Sequence, residues 1–307
     1  MEIIERIQSD FALSEHDVRV LLFTASYRYK SHSIEKRHGR GKRLIAQPTA
    51  EIKILQRWAI EQYVAKLPIH KAATAYRLGV SIKEHAETHA NNRYLLKLDF
   101  KDFFPSILGL HFEMHLKSHT EISEVDANHL MRLLFRFDRE AKDYVLSIGA
   151  PSSPAVSNTV MYDFDSAVSD FCSKHNIVYS RYADDLALST NTPKVLNDAF
   201  EYIQKLCRES PYPRLRLNDE KTVFTSKKHR RQLTGLVLTN DGKLSLGREK
   251  KRLIRSMAHR YSLKQLDQEQ TAHLRGLLAF SYSIEPLFFS SISRMIGEES
   301  FQRLMKG

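Results

Sequence analysis

Apolar side chains recur at helical spacing along much of the chain. Val18, Leu21, Leu22 and Ala25 follow Ser14 and Asp17, a pair that resembles a capping box, and predict a helix over about 15–29. Thr49 opens a second helix with Ile52, Leu55, Ala59, Tyr63 and Leu67 on one stripe, Trp58 in its packing and Pro68 as its stop. The segment 111–144 has a helical pattern throughout, with Leu130, Leu133, Leu134 and Phe137 at suitable spacing. Beyond Gly149 the residues Val156, Val160, Phe164 and Val168 predict a helix over about 154–172, and another is expected near 193–207.

Shorter apolar runs read as strands. Tyr94 to Asp99 is one; 177–182 and 186–189 flank Ala183, Asp184 and Asp185 as a pair; KTVFTS and QLTGLVLT are predicted to pair, with Asn240-Asp241-Gly242 as a turn. In SIEKRHGRGKRLIAQP the residues Lys36, Arg37, Arg40, Lys42 and Arg43 surround Gly39 and Gly41 and suggest a hairpin tip, which charge alone does not distinguish from a solvated loop. From Gly247 the pattern is helical and basic, a separate small helical unit.

Composition narrows the classes. The 307 residues suffice for one large domain or two ordinary ones, and no repeat or Pro/Gly/Ser linker divides them. Cys172 and Cys207 are the only cysteines, which excludes a disulfide framework or a four-cysteine zinc site and points to a cytoplasmic protein. No apolar run approaches the roughly 18 residues of a spanning helix, so no membrane role is expected. The net charge of +11 suits a polyanionic partner.

Asp99 ends a strand, and Asp184 and Asp185 stand together between two others. Each has a local explanation, as a helix cap or as turn residues. Together they are the parts of a convergent carboxylate cluster, which repels itself unless a cation neutralises it. Oxygen ligands select hard ions, hence Mg²⁺, and two such ions about 3.5–4 Å apart serve in-line phosphoryl transfer.

The sequence around these residues carries a family resemblance. Tyr182-Ala183-Asp184-Asp185 resembles the Y-x-D-D hairpin of reverse transcriptases, and LDFKDFFPS their first catalytic aspartate motif. RLIAQP resembles the fingers motif, GAPSSPAVSN the nucleotide-site loop, and LNDEKT and LTGLVL the later palm motifs, in family order. HAETH resembles the N-A-x-x-H signature of bacterial retron reverse transcriptases, and HLRGLLAFSYSIEP their thumb. Three positions depart: His85 replaces Asn, Leu233-Thr234-Gly235 stands for V-T-G, and Ser147-Ile148 stands where many relatives have Pro-Gln, removing an amide that contacts the incoming nucleotide.

The resemblance implies an α+β right-hand polymerase, with fingers and palm, including an antiparallel sheet, over 1–238 and a helical thumb over 239–307. It implies RNA-directed DNA synthesis, with Asp99 and Asp184 holding two Mg²⁺ ions, Asp185 assisting and the carbonyl of Phe100 as a further ligand. Arg43 and Lys42 would clamp the dNTP triphosphate, Phe104 would act as steric gate against a 2′-hydroxyl, Gly149 would let the backbone approach the base pair, and Lys221 would serve the leaving pyrophosphate. Lys250, Lys251 and Arg255 would track a duplex backbone, and the region of His85 and His89 is expected to face RNA. Zinc is not expected at His85, Glu87 and His89, where no third strong ligand is near.

The implied partner is a cognate structured non-coding RNA, template and primer together, whose guanosine 2′-hydroxyl starts a branched RNA–DNA product (msDNA). An accessory effector protein and a role in antiphage defence follow from the same resemblance. The rival readings are a group II intron-like or diversity-generating reverse transcriptase, or an RNA-binding scaffold whose polymerase site is unused.

Overall fold

Caps and turn residues decide where the elements start and stop. In the computed structural model, which describes residues 2–35 and 41–306, the Ser14 hydroxyl accepts a hydrogen bond from the Asp17 amide (3.2 Å) and starts the helix Glu15–Thr24, shorter than expected because a 3₁₀ turn, Ala25–Tyr27, leads into a strand. The strands are β1 (Tyr29–Glu35), β2 (Lys42–Pro48), β3 (Tyr94–Asp99), β4 (Arg136–Asp138), β5 (Asp143–Val145), β6 (Val178–Tyr182), β7 (Asp185–Thr190), β8 (Val223–Ser226), β9 (Arg231–Leu233), β10 (Leu236–Leu238) and β11 (Leu244–Ser245). Strands β1 and β2 pair antiparallel, Ile34 opposite Arg43, and the expected hairpin tip at 36–40 lies outside the described residues.

A four-stranded sheet has the order β6-β7-β3-β8. Its two inner strands carry apolar residues on both faces: Leu95, Leu96 and Leu98 of β3 and Leu186, Ala187 and Leu188 of β7 are all buried. That is why YLLKLD and DLALST read as nearly continuous apolar runs rather than alternating ones. Packing divides the chain into two units. One comprises Met1–Leu78, Lys97–Leu188 and Lys194–Val223, the other Gly79–Leu96, Ser189–Pro193 and Phe224–Gly307.

Three expected elements differ. The helical stretch 111–144 is two helices, Gly109–His119 and Glu124–Leu134, followed by the β4–β5 hairpin. Ser123 explains the break, since its hydroxyl takes the Asp126 amide (3.1 Å) and begins a new helix, and Phe137 falls on a strand. The helix expected over 154–172 is two, Ser152–Val160 and Tyr162–Lys174, parted only at Met161. KTVFTS does not pair with QLTGLVLT: β8 borders β3, while β9 and β10 pair with each other across Thr234 and Gly235, both at positive φ (45° and 82°). The Leu233-Thr234-Gly235 departure therefore sits at a hairpin turn, where glycine meets the left-handed backbone without strain.

In the second unit, the sheet β11-β10-β9 accompanies the helix Ile82–Ala90 and four C-terminal helices from Arg248 to Lys306. Buried Arg231 donates to the carbonyls of Ala90, Asn92 and Thr239, closing the end of the Ile82–Ala90 helix.

A buried ion pair fixes the β6–β7 hairpin within the first unit. Arg181 and Asp165 are both 0% exposed, with guanidinium-to-carboxylate distances of 2.7 and 2.9 Å. The remaining lone pairs and protons are used: Tyr179 donates its hydroxyl to Asp165 (2.7 Å), and Arg181 Nη1 donates to the Ala183 carbonyl (3.0 Å) and to Asn158 Oδ1 (3.3 Å). Arg181 also bonds through its backbone to Ala72 and Thr74 (2.7 and 2.8 Å). Removing one partner leaves the other charge buried and uncompensated, so Arg181→Ala or Asp165→Asn is expected to lower stability by about 3–5 kcal/mol in urea unfolding; a loss under about 1 kcal/mol would show that the pair is dispensable.

Candidate active site

Asp99 lies where β3 ends, and Asp184 lies in the turn between β6 and β7 that Ala183 makes possible at φ 56°. The Phe100 amide donates to the Asp184 carbonyl (3.1 Å), so the strand end and the hairpin tip are joined by a backbone hydrogen bond. A third segment closes on them: the Asn218 amide donates to the Asp99 carbonyl (2.8 Å) and Lys101 to the Arg216 carbonyl (2.8 Å). Asp99 is thus not a helix cap. Its carboxylate is 8% exposed and takes the Lys221 ammonium on both oxygens, at 2.7 and 2.8 Å.

The electrostatics record the crowding. Asp184 is raised above the ordinary carboxylate range, first by lost solvation and then by the charge of Asp99, with Lys221 and Arg43 pulling it back. Asp185 is exposed on one side, yet its carboxyl is pushed up to about 6, first by lost solvation, then by Asp184 and Asp99, against the pull of Lys97 and Lys221. Three carboxylates therefore act on one another. Their oxygens suit a hard divalent cation, and Lys221 is the cation that chelates Asp99 here.

Beside this cluster the first unit holds a cavity of about 430 Å³ lined by Gln47, Lys53, Arg57, Tyr76, Phe104, Ser147, Gly149 and Pro151, among others. Phe104 and Gly149 both line it. Gly149 has φ 113°, and a Cβ there would meet Gln47 Cγ at 3.0 Å and the Ala46 carbonyl at 3.2 Å. Ser147 is no open gap where an amide was expected: it is buried, its hydroxyl donates to the Ala46 carbonyl (3.1 Å), and the Ala46 amide donates to the Ile148 carbonyl (2.9 Å). The departure from Pro-Gln thus fastens β2 to the loop before Gly149. Lys42 and Arg43 lie exposed on β2. Gln47, inside RLIAQP, is not singled out there, and Lys53, Arg57 and Tyr76 carry no motif: Lys53 and Arg57 are one turn apart on the helix Ala50–Gln62 and Tyr76 comes from a loop, and only folding brings them to Phe104 and Gly149; Tyr76, at φ 60°, feels the charge of Asp184.

One expectation needs correction. His85 and His89 lie on the helix Ile82–Ala90 and are 1% and 0% exposed, His89 within 2.7 Å of the Ser189 hydroxyl. Burial lowers them to about 4 and about 3, so they are neutral interior side chains rather than groups facing RNA. Of the basic residues expected along a duplex, Lys251 is part-exposed and pairs with Glu285 at 2.6 Å. Lys250 lies over Phe280 and Arg255 over Phe288, and Arg255 is exposed on the helix Arg248–Ser262.

Comparison with known proteins agrees with this arrangement. The profile of the family described as "Reverse transcriptase (RNA-dependent DNA polymerase)" matches residues 34–238. The chain is 42% identical over 281 residues to the retron Ec83 reverse transcriptase of Escherichia coli, covering 91% of this chain and 90% of that protein. It is 30% identical over 275 residues to the retron Ec86 reverse transcriptase of Escherichia coli, with 89% and 82% covered. The apo telomerase of Candida tropicalis aligns with a TM-score of 0.51 at 11% identity over 87% of this chain and 58% of that one, a likeness of fold alone. Mixed helix and antiparallel sheet in this arrangement are the right-hand polymerase fold.

A carboxyl raised on folding binds its proton more tightly in the folded chain. In the absence of metal, stability therefore falls as pH rises from the unfolded value of about 3.9 through about 6. Asp185→Asn is expected to raise the metal-free Tm at pH 8 by about 2 °C, limited by solvent on its open side, and to leave it unchanged at pH 4. Thermal melts in a chelator check this; equal shifts at both pH values would refute the assignment.

Proposed function

Because the chain belongs to the retron reverse transcriptases, which are RNA-directed DNA polymerases, we propose that it copies part of a cognate structured non-coding RNA into single-stranded DNA at the Asp99, Asp184 and Asp185 cluster. The observation that carries the proposal is the mutual repulsion of these carboxylates, felt at Asp185, at the junction of strand end and hairpin tip. The residues fit two Mg²⁺ ions: Asp99 and Asp184 would hold both, with Asp185 and the Phe100 carbonyl in support. When bound, the ions supply charge neutralisation and polarisation of the attacking and leaving oxygens.

The chain's own residues do the positioning. Arg43 and Lys42, exposed on β2, hold the triphosphate of a dNTP, Arg43 through its planar fork. Phe104 fills the space where a ribose 2′-hydroxyl would sit, and the bare backbone at Gly149 admits the nascent pair. Lys221, 44% exposed at its side chain, releases Asp99 and meets the leaving pyrophosphate as donor or counter-charge. Residues 1–238 act as fingers and palm and 239–307 as thumb, where Lys250 and Arg255 follow the duplex phosphates. Priming from a guanosine 2′-hydroxyl, a branched msDNA product, an accessory effector protein, a cytoplasmic setting and antiphage defence complete the reading and follow from kinship with retron enzymes.

Primer extension on an RNA template tests the site: Asp99→Asn or Asp185→Asn is expected to lower DNA synthesis by at least about 100-fold, and unchanged synthesis would refute it. Sequencing of copurified nucleic acid tests the partner, a covalently branched RNA–DNA species being the expected result and its absence the refuting one. Phe104→Ala is expected to relax the preference for dNTPs over rNTPs by at least about 10-fold in single-nucleotide incorporation; an unaltered preference would place the gate elsewhere.

A further inference from the structure

The helix Gly109–His119 carries histidines at 111, 115 and 119, one turn apart on one face. His111 is already used, its Nδ1 accepting the Leu108 amide (3.1 Å). His115 is not: it is 0% exposed, and neither ring nitrogen has a hydrogen-bond partner. Leaving such a group unsatisfied costs stability. Its ring lies beside that of His119, centroids 4.3 Å apart. Asp163, in the first turn of the helix Tyr162–Lys174, faces both, and ligand atoms of the three residues lie within 4.8 Å of one another.

From this geometry we infer that His115, His119 and Asp163 form a binding site for a divalent transition metal ion, Zn²⁺ by the chemistry of its donors, which clamps the two helices together. Two imidazoles and one carboxylate are a borderline-soft set that favours Zn²⁺ over Mg²⁺, in contrast to the all-oxygen aspartate cluster. Donors around a tetrahedral Zn²⁺ stand about 3.3 Å apart. His119 Nε2 and Asp163 Oδ2 are already 3.4 Å apart, so His115 needs only a small approach. Burial lowers His115 to about 4, which keeps its imidazole neutral and able to ligate. The Tyr212 hydroxyl donates to the same Asp163 Oδ2 (2.7 Å) and so orients the carboxylate, as outer-shell partners of ligands do. Asp163 is 46% exposed at its side chain, so the fourth position opens to solvent. The inference does not depend on the polymerase reading, because the site shares no residue with the aspartates.

The test uses the untagged full-length protein, stripped with a chelator and held in saturating Mg²⁺ so that the aspartate cluster is masked. One equivalent of Co²⁺ is expected to give the visible absorption of a tetrahedral ion. Zn²⁺ should abolish that absorption and raise Tm by about 5 °C at a hundredfold excess over its Kd. X-ray absorption of the zinc form should show two imidazoles and oxygen. His119→Gln and Asp163→Asn, both at solvent-reachable positions, should weaken binding by at least about 100-fold, and Tyr212→Phe by about 10–100-fold. No Co²⁺ spectrum and no Zn²⁺ stabilisation in the wild type would overturn the inference, as would binding that survives in His119→Gln or Asp163→Asn.

Discussion

The buried pair of Arg181 and Asp165 is the constraint on which the candidate active site hangs. Two full charges without solvent are tolerable only when every donor and acceptor is used, and here they are: Tyr179, Asn158 and the Ala183 carbonyl take what the pair leaves over. The consequence reaches the chemistry through one bond. By holding the carbonyl of Ala183, the guanidinium fixes a residue at positive φ, and so fixes where Asp184 and Asp185 emerge. The hairpin cannot rotate about its turn without breaking an ion pair in the interior.

Against that rigid base stands a deliberately unfavourable surface. Asp184 and Asp185 are both raised by lost solvation and by neighbouring negative charge, a cost that a chain selected for stability alone would shed. Such local disfavour is supportable because the scaffold beneath it is well satisfied.

The parts of this site that were legible in the sequence are those where chemistry demands adjacent residues. YADD and LDFKDFFPS carry both the strand pattern and the carboxylates, and Phe104 and Gly149 fall where motif spacing put them. What stayed hidden depends on tertiary choice. His85 and His89 have the spacing of one helix face, and spacing does not say whether that face meets solvent or core. The break at Ser123 is a matter of one hydroxyl, and a helical stripe runs through it undisturbed. KTVFTS went to a different sheet because its partner, β3, lies more than a hundred residues away in sequence. The histidines 111, 115 and 119 went unread because spacing alone makes no ligand set without Asp163, which only folding supplies.

Lys221 chelating Asp99 gives the metal-free cluster a tethered counter-ion. A divalent ion entering the cluster would therefore exchange with an ammonium that stays covalently attached and within reach. The carboxylates do not stand as bare anions, because a lysine of the same chain already offsets part of their charge. The cluster thereby meets any incoming cation from a defined starting charge.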